Sequence, residues 1–169
     1  MTQAPARILL LGGTGFVGRH VCEKLTRMGS SMTVITRRAN QASAIQNLPR
    51  VTVIEGDVYN LEFLTQCMHK HDVVINLIAI LHGTPAAFEK AHVQLPQVIA
   101  QACQDSGVHR LIHISALGAS LTGPSEYQRS KARGEEIFKQ AGLELTLLQP
   151  SVIFGKEDKF LNLFAQLQS

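Results

Sequence analysis

Tyr127 and Lys131 stand four residues apart in the run Tyr127-Gln128-Arg129-Ser130-Lys131. On a helix that spacing puts both side chains on one face. A free tyrosine has a pKa of ~10, too high for proton exchange at neutral pH. A nearby ammonium stabilises the phenolate and lowers that value. The same lysine can donate hydrogen bonds to a ribose. Pro124-Ser125 just upstream reads as a helix start. Acid–base work or cofactor binding is one reading of the pair; an exposed helix pair is the other. Ser115 is a third candidate, a polar residue at the C-terminal end of a predicted strand, where ligands bind in open α/β sheets. A structural role fits it equally well. The histidines show no metal-ligand spacing, no metal is expected, and the Gly-x-Ser-x-Gly elbow of Ser-His-Asp hydrolases is absent.

The sequence also carries the means to hold a dinucleotide. Gly12-Gly13-Thr14-Gly15-Phe16-Val17-Gly18 follows a predicted strand and opens a predicted helix. The chemistry needs glycines because the turn is tight, the backbone must approach a pyrophosphate, and the helix must pack close to the strand. The helix N-terminus then offers free N–H groups and partial positive charge, here from Thr14 through Gly18. No Gly-Lys-Ser/Thr follows, so a P-loop is excluded. At the end of the second strand, an NAD-binding chain would carry an acid for the ribose 2′-hydroxyl. This chain has Thr36-Arg37-Arg38. Guanidinium groups pair with a 2′-phosphate and stack on adenine, so the expected cofactor is NADP, with NAD the alternative; solvated arginines after an edge of the sheet are the other reading of the pair. Asp57 and Val58, after the third strand, are placed to border adenine, although Asp57 reads as readily as a turn residue. Small Ala79, after the fourth strand, would let a ribose lie close to the backbone.

These residues need a scaffold that brings strand ends together. Strands are predicted at Arg7–Leu11, Met32–Thr36, Val51–Glu55, Val73–Ile78, Leu111–Ser115 and Leu145–Leu148. They are continuous apolar runs, the pattern of a parallel sheet covered on both faces. Helices are predicted at Phe16–Met28, Leu61–His69 with Asn60 as N-cap, Pro85–Ser106 bent or interrupted at Pro96, and Glu126–Ala141. The βα alternation predicts a doubly wound α/β Rossmann fold with a parallel sheet in the order 3-2-1-4-5-6, one dinucleotide-binding domain over residues 1–169. At the C-terminal end, Phe160, Leu163, Phe164 and Leu167 fall at helical spacing. Such a stripe must fold back, meet a partner chain, or pack on a segment beyond this sequence.

The 169 residues are long enough to bury a core without disulfides. The net charge of +3 comes with no Lys/Arg run longer than Arg37-Arg38, so no nucleic-acid footprint is indicated. Cys22, Cys67 and Cys103 are scattered, as in a reducing compartment. The N-terminus has no signal-peptide pattern, and Ile8–Leu11 is too short to span a membrane. A cytoplasmic location is therefore expected.

The chain resembles the short-chain dehydrogenase/reductase superfamily, in its atypical and extended branch of NAD-dependent epimerases/dehydratases. Within that branch it is similar to the group related to the 39 kDa accessory subunit of complex I. The carrying stretches are Gly12–Gly18, Glu55–Val58, Val108–Ala119, Tyr127–Glu136, Gln149–Gly155 and Glu157–Leu163. The resemblance implies that Gly12, Gly15 and Gly18 hold the pyrophosphate, Arg37 and Arg38 the adenosine end, and Asp57 and Val58 adenine. Tyr127 would be the acid–base residue and Lys131 its partner. Pro150, Ser151, Val152 and Ile153 would lie against the nicotinamide. Two departures stand out. Members of the superfamily place Ser or Thr one or two positions after the residue matching Ser115, where this chain has Ala116 and Leu117. Members also run to about twice this length, so the C-terminal portion that forms the substrate site is expected to be missing. The expected activity is an NAD(P)-dependent oxidoreductase or epimerase/dehydratase acting on an unknown small molecule. The alternative is a non-catalytic NADPH-binding subunit of a respiratory assembly. A homo-oligomer is a further expectation, as is peripheral membrane association through a partner.

Overall fold

In the computed structural model, which describes residues 6–155, six strands form one parallel sheet. They are β1 (Arg7–Leu11), β2 (Ser31–Thr36), β3 (Val51–Glu55), β4 (Val73–Asn76), β5 (Arg110–Ile114) and β6 (Glu144–Leu148). Their order is β3-β2-β1-β4-β5-β6, as the βα alternation predicts. The order reverses between β1 and β4, which opens a crevice at the C-terminal ends of those strands.

Alternate residues of β1 explain why both faces are covered. Leu9 and Leu11 pack with Leu64, Met68, Ile99 and Phe138, from helices α3 (Leu61–Met68), α5 (Leu95–Ser106) and α6 (Glu126–Gln140). Ile8 and Leu10 point the other way, to Cys22 and Ile45 of α1 (Phe16–Arg27) and α2 (Ser43–Gln46). Helix ends follow local chemistry. Asn60 Oδ1 accepts from Phe63 N at 3.0 Å and starts α3. Ser125 and Gln128 form a reciprocal capping box at the start of α6. Gly107 ends α5 with φ +74°, a left-handed turn that glycine enters without a Cβ penalty.

Three local expectations need correction. The fourth strand stops at Asn76 rather than Ile78, because Asn76 Oδ1 accepts from Ile78 N at 3.1 Å and turns the chain out of the sheet. The predicted helix over residues 85–106 does not break at Pro96. It runs as α4 (Pro85–Glu89), a π turn (Lys90–Gln94) and α5. Pro96 has no N–H to give His92 O, four residues earlier, and the wider turn just before it absorbs the mismatch. A 3-10 turn at Ala39–Ala42 and the short α2 have no counterpart in the predicted elements. Both lack the length over which periodicity shows. The predicted amphipathic stripe from Phe160 to Leu167 lies outside the described residues.

Candidate functional site

The glycine turn sits in the crevice. Gly12 has φ +86°, and Gly15 N donates to Gly12 O at 3.1 Å to close the turn. A Cβ on Gly18 would come within 2.2 Å of Gly12 O, so only glycine lets α1 lie this close to the end of β1. Gly15 is the N-cap of α1, no side chain caps the helix, and no acid lies in its first turn. The N–H groups from Phe16 onward therefore keep the partial positive charge of a helix start. A backbone cradle that any Cβ would fill, at an uncapped helix start, is the geometry a pyrophosphate requires.

Beside it, at the ends of β2 and β3, lies a cleft of about 680 Å³. Arg37, Gly56, Asp57 and Tyr59 line one part of it; Ile80, Ala87 and Lys90 line another. Arg37 and Arg38 are exposed, and among the described residues no hydrogen bond or ion pair engages either guanidinium. Asp57 does act as a turn residue, with Oδ1 accepting from Tyr59 N at 3.0 Å, and it also lines the cleft. Val58 turns into the core, so only its backbone faces a ligand at this point. Tyr59 and Lys90 were not singled out by spacing, because they lie 31 residues apart and meet only in the fold. Tyr59 Oη donates to Lys90 O at 3.2 Å, and Lys90 Nζ lies 4.9 Å from the centre of the Tyr59 ring. Glu55 Oε2 accepts from Ala39 N at 2.7 Å and ties the arginine-bearing loop to β3.

On the other side of the crevice stand Tyr127, Lys131 and Ser115. Tyr127 and Lys131 share one face of α6, but their polar ends are not paired as the spacing predicts. Lys131 is 1% exposed and Nζ donates to Ile114 O at 2.8 Å, the last residue of β5. Burial lowers its pKa to about 8, against a smaller raising effect from Glu135. Tyr127 is pushed upward by burial, not downward by the ammonium. Ser115 donates its hydroxyl proton to Glu135 Oε1 in a short hydrogen bond, and Gln149 Nε2 donates to the same oxygen at 2.8 Å. Glu135 is 4% exposed and Lys139 Nζ lies 3.6 Å from its other oxygen. Ser115 thus ties the end of β5 to α6, the structural role its position equally allowed.

Two histidines brace this half of the site. Ile80 N donates to His92 Nε2 at 3.2 Å, and His92 Nδ1 lies 2.9 Å from Ser130 Oγ. Ser130 Oγ in turn donates to Tyr127 O at 2.9 Å. This pattern puts the imidazole proton on Nδ1 and links the loop after β4 to the tyrosine helix. Burial, then Lys131 and Arg133, lower the His92 pKa to about 4. His92 sits in the π turn, and its carbonyl faces Gly134, where a Cβ would come within 2.2 Å. The Tyr127 ring meets His92 edge-on at 5.6 Å and Phe88 at 6.1 Å. His113, buried in β5, faces Asn76 Nδ2 at 3.1 Å, and burial first, then Lys131 and His92, lower its pKa to about 3. His92 is thus engaged through both ring nitrogens, and its hold on Ile80 had no sequence signal.

The segment after β6 completes the rim. Ser115 N donates to Leu148 O at 2.7 Å and Leu117 N to Pro150 O at 2.8 Å, so the loops after β5 and β6 run together. Residues 151–154 are exposed, and a Cβ on Gly155 would come within 3.0 Å of the ring of Phe16 at the start of α1. Ala79 is exposed next to Ile80, on the loop that His92 holds.

A family model described as NAD(P)H-binding matches residues 12–162. NADH dehydrogenase [ubiquinone] 1 alpha subcomplex subunit 9 of Mus musculus is 38% identical over 92% of this chain and 43% of its own length. Ceramide reductase of Caulobacter vibrioides is 28% identical over 93% of this chain and 49% of its own. A 4-hydroxy-2-methyl-3-oxo-4-farnesyl-3,4-dihydroquinoline-1-oxide ketoreductase of Stigmatella aurantiaca is 26% identical over 90% and 52%. The chain therefore spans about half the length of these relatives or less. Among solved structures, UDP-glucuronic acid 4-epimerase of Bacillus cereus with NAD superposes at a TM-score of 0.79 and 22% identity, over 90% of this chain and 58% of that one. The resemblance drawn from the motifs is borne out, and so is the parallel Rossmann sheet.

Proposed function

We propose that this chain, which belongs to the NAD(P)H-binding family, holds NADP(H) and reduces a carbonyl compound. The observation that carries the NADP preference is the pair of unengaged guanidinium groups, Arg37 and Arg38, at the end of β2 beside the cleft. An isolated cation pair there favours a 2′-phosphate over a 2′-hydroxyl. Gly12, Gly15 and the first N–H groups of α1 would hold the pyrophosphate. Pro150 to Ile153 and the loop carrying Ala79 would flank the nicotinamide half.

When bound, the cofactor supplies a hydride to the carbonyl carbon. Tyr127 gives its hydroxyl proton to the carbonyl oxygen. Its hydroxyl is protonated at neutral pH, the form that reduction uses, although burial leaves its pKa above the range that favours easy exchange. Lys131 fixes the end of β5 through Ile114 O. His92 fixes both the Ile80 loop and, through Ser130, the backbone of Tyr127. The test is NADPH consumption with long- and short-chain ketones. Tyr127→Phe keeps the ring packing and removes the proton donor. It should cut turnover by a factor on the order of 10²–10⁴, and unchanged turnover would rule the role out.

One observation favours a second reading, a non-catalytic NADPH-binding subunit of a respiratory assembly. Ser115 is committed to Glu135, and Ala116 and Leu117 bring no hydroxyl in its place. The Mus musculus relative is named as a subunit of NADH dehydrogenase. Tightly retained NADPH with no turnover on any carbonyl would favour this reading.

A further inference from the structure

Large apolar side chains are distributed unevenly over this surface. Among the described residues, every one that stands well exposed, except Met28 and Leu61, belongs to the C-terminal edge of β4, β5 and β6. Leu81 follows β4. Leu117, 66% exposed, and Leu121 follow β5. Leu148 ends β6, and beyond it Val152 and Phe154, 70% exposed, lead toward α1. The loops are tied to one another and to the site: Leu117 N to Pro150 O, Ile80 N to His92, and Gly123 O to Arg129 of the tyrosine helix. Residues 77–84, 115–125 and 149–155 contain no Asp, Glu, Lys or Arg. The other half of the crevice carries Arg37, Arg38, Asp57 and Lys90.

We infer that the carbonyl substrate is an uncharged molecule with a long apolar chain, and that the loops after β4, β5 and β6 receive that chain. This rests on the reductase reading and names its substrate class. The physical argument is complementarity. A nucleoside diphosphate sugar brings two phosphate charges, whereas these loops carry no Lys or Arg, and the long helix they lead into, α6, has its start already capped by Ser125 and Gln128 and carries Glu126 there. An apolar chain gains by covering exposed leucine and phenylalanine surface, a gain that grows with each methylene. A contiguous apolar patch rimmed by polar residues marks a binding surface. The reductases of Caulobacter and Stigmatella are named for a ceramide and for a farnesyl-bearing ring.

The experiment compares 2-tridecanone, 2-butanone and UDP-glucuronic acid as ligands of the NADPH-loaded chain. Binding is read by saturation-transfer NMR and turnover by loss of NADPH absorbance. The inference expects 2-tridecanone to bind at least roughly tenfold more tightly than 2-butanone, with no binding of UDP-glucuronic acid. The double variant Leu117→Asp, Leu121→Asp should weaken 2-tridecanone by about tenfold or more and leave NADPH affinity unchanged. Equal binding of the two ketones, or tighter binding of UDP-glucuronic acid, overturns the inference. So does unchanged ketone binding in the double variant, which would mean that other parts of the chain cover these loops. A wild-type dimer that the double variant converts to monomer also overturns it, because the face would then be a subunit interface. Failure of NADPH itself to bind overturns the reductase reading and is seen before any ketone is added.

Discussion

His92 and His113 are neutral because burial denies them water to solvate a charge, and Lys131 stands near both. Their folded pKa values, about 4 and about 3, lie below the unfolded value near 6.5. The unfolded chain therefore binds more protons than the folded one below pH 6.5. Stability is fully present above that pH and falls on acidification toward pH 4 and then 3. The slope is up to about 1.4 kcal/mol per pH unit for each group. Urea unfolding of the wild type and of His113→Gln across pH 7 to 4 measures this; the variant should show the shallower acid loss, and parallel curves would refute it. Lys131 behaves with the same sign at the alkaline side. Its folded pKa of about 8 is below the usual 10.5, so its burial costs stability below pH 8, and that cost is relieved as pH rises from 8 toward 10.5. The stability of Lys131→Met relative to the wild type should be more favourable at pH 7 than at pH 10 in urea unfolding; a difference that does not change with pH would refute it.

Close approach of backbones governs the elements. Gly18→Ala places a methyl group 2.2 Å from Gly12 O, so α1 must move away from β1. The expected cost is about 1–3 kcal/mol in thermal or urea unfolding, together with weaker dinucleotide binding because the helix start retreats. Gly134→Ala meets His92 O at the same distance and should cost a similar amount while leaving the glycine turn intact. If Gly134→Ala weakens NADPH as much as Gly18→Ala does, the assignment of the pyrophosphate to the turn is wrong. The strands and the turn were legible in the sequence because each shows as an apolar run or as glycines at fixed spacing. Arg7–Leu11 and Val51–Glu55 match to the residue. The π turn was not legible, since it depends on Pro96 and on Gly134 of another helix. Nor was the Tyr59–Lys90 contact, or the Ser115–Glu135 bond, because each joins residues from different elements. The tyrosine and lysine were found by spacing, but spacing says only that they share a face. The direction of Lys131 toward Ile114 O is set by the burial of α6 against β5.

At the scale of the whole molecule, the crevice has two unlike halves. The β2–β3 side is charged, the cleft runs from it to Ile80 and Lys90 after β4, and the loops after β4, β5 and β6 are apolar and lie on the side of Tyr127. The divide follows the switch point of the sheet between β1 and β4. A dinucleotide laid across it would put its adenosine end near the arginines, its pyrophosphate on the glycine turn and its reactive ring near the tyrosine. The relatives of this chain are about twice as long or more. Raising salt should weaken NADPH more than NADH, since only the former adds a phosphate for Arg37 and Arg38 to neutralise.

The central claim is that this chain prefers NADP(H) through Arg37 and Arg38. Calorimetric titration of the protein with NADPH and with NADH tests it most directly. The account predicts tighter binding of NADPH, with Arg37→Ala, Arg38→Ala weakening NADPH by about 10–100-fold and leaving NADH little changed. Equal or tighter binding of NADH by the unaltered protein would contradict it.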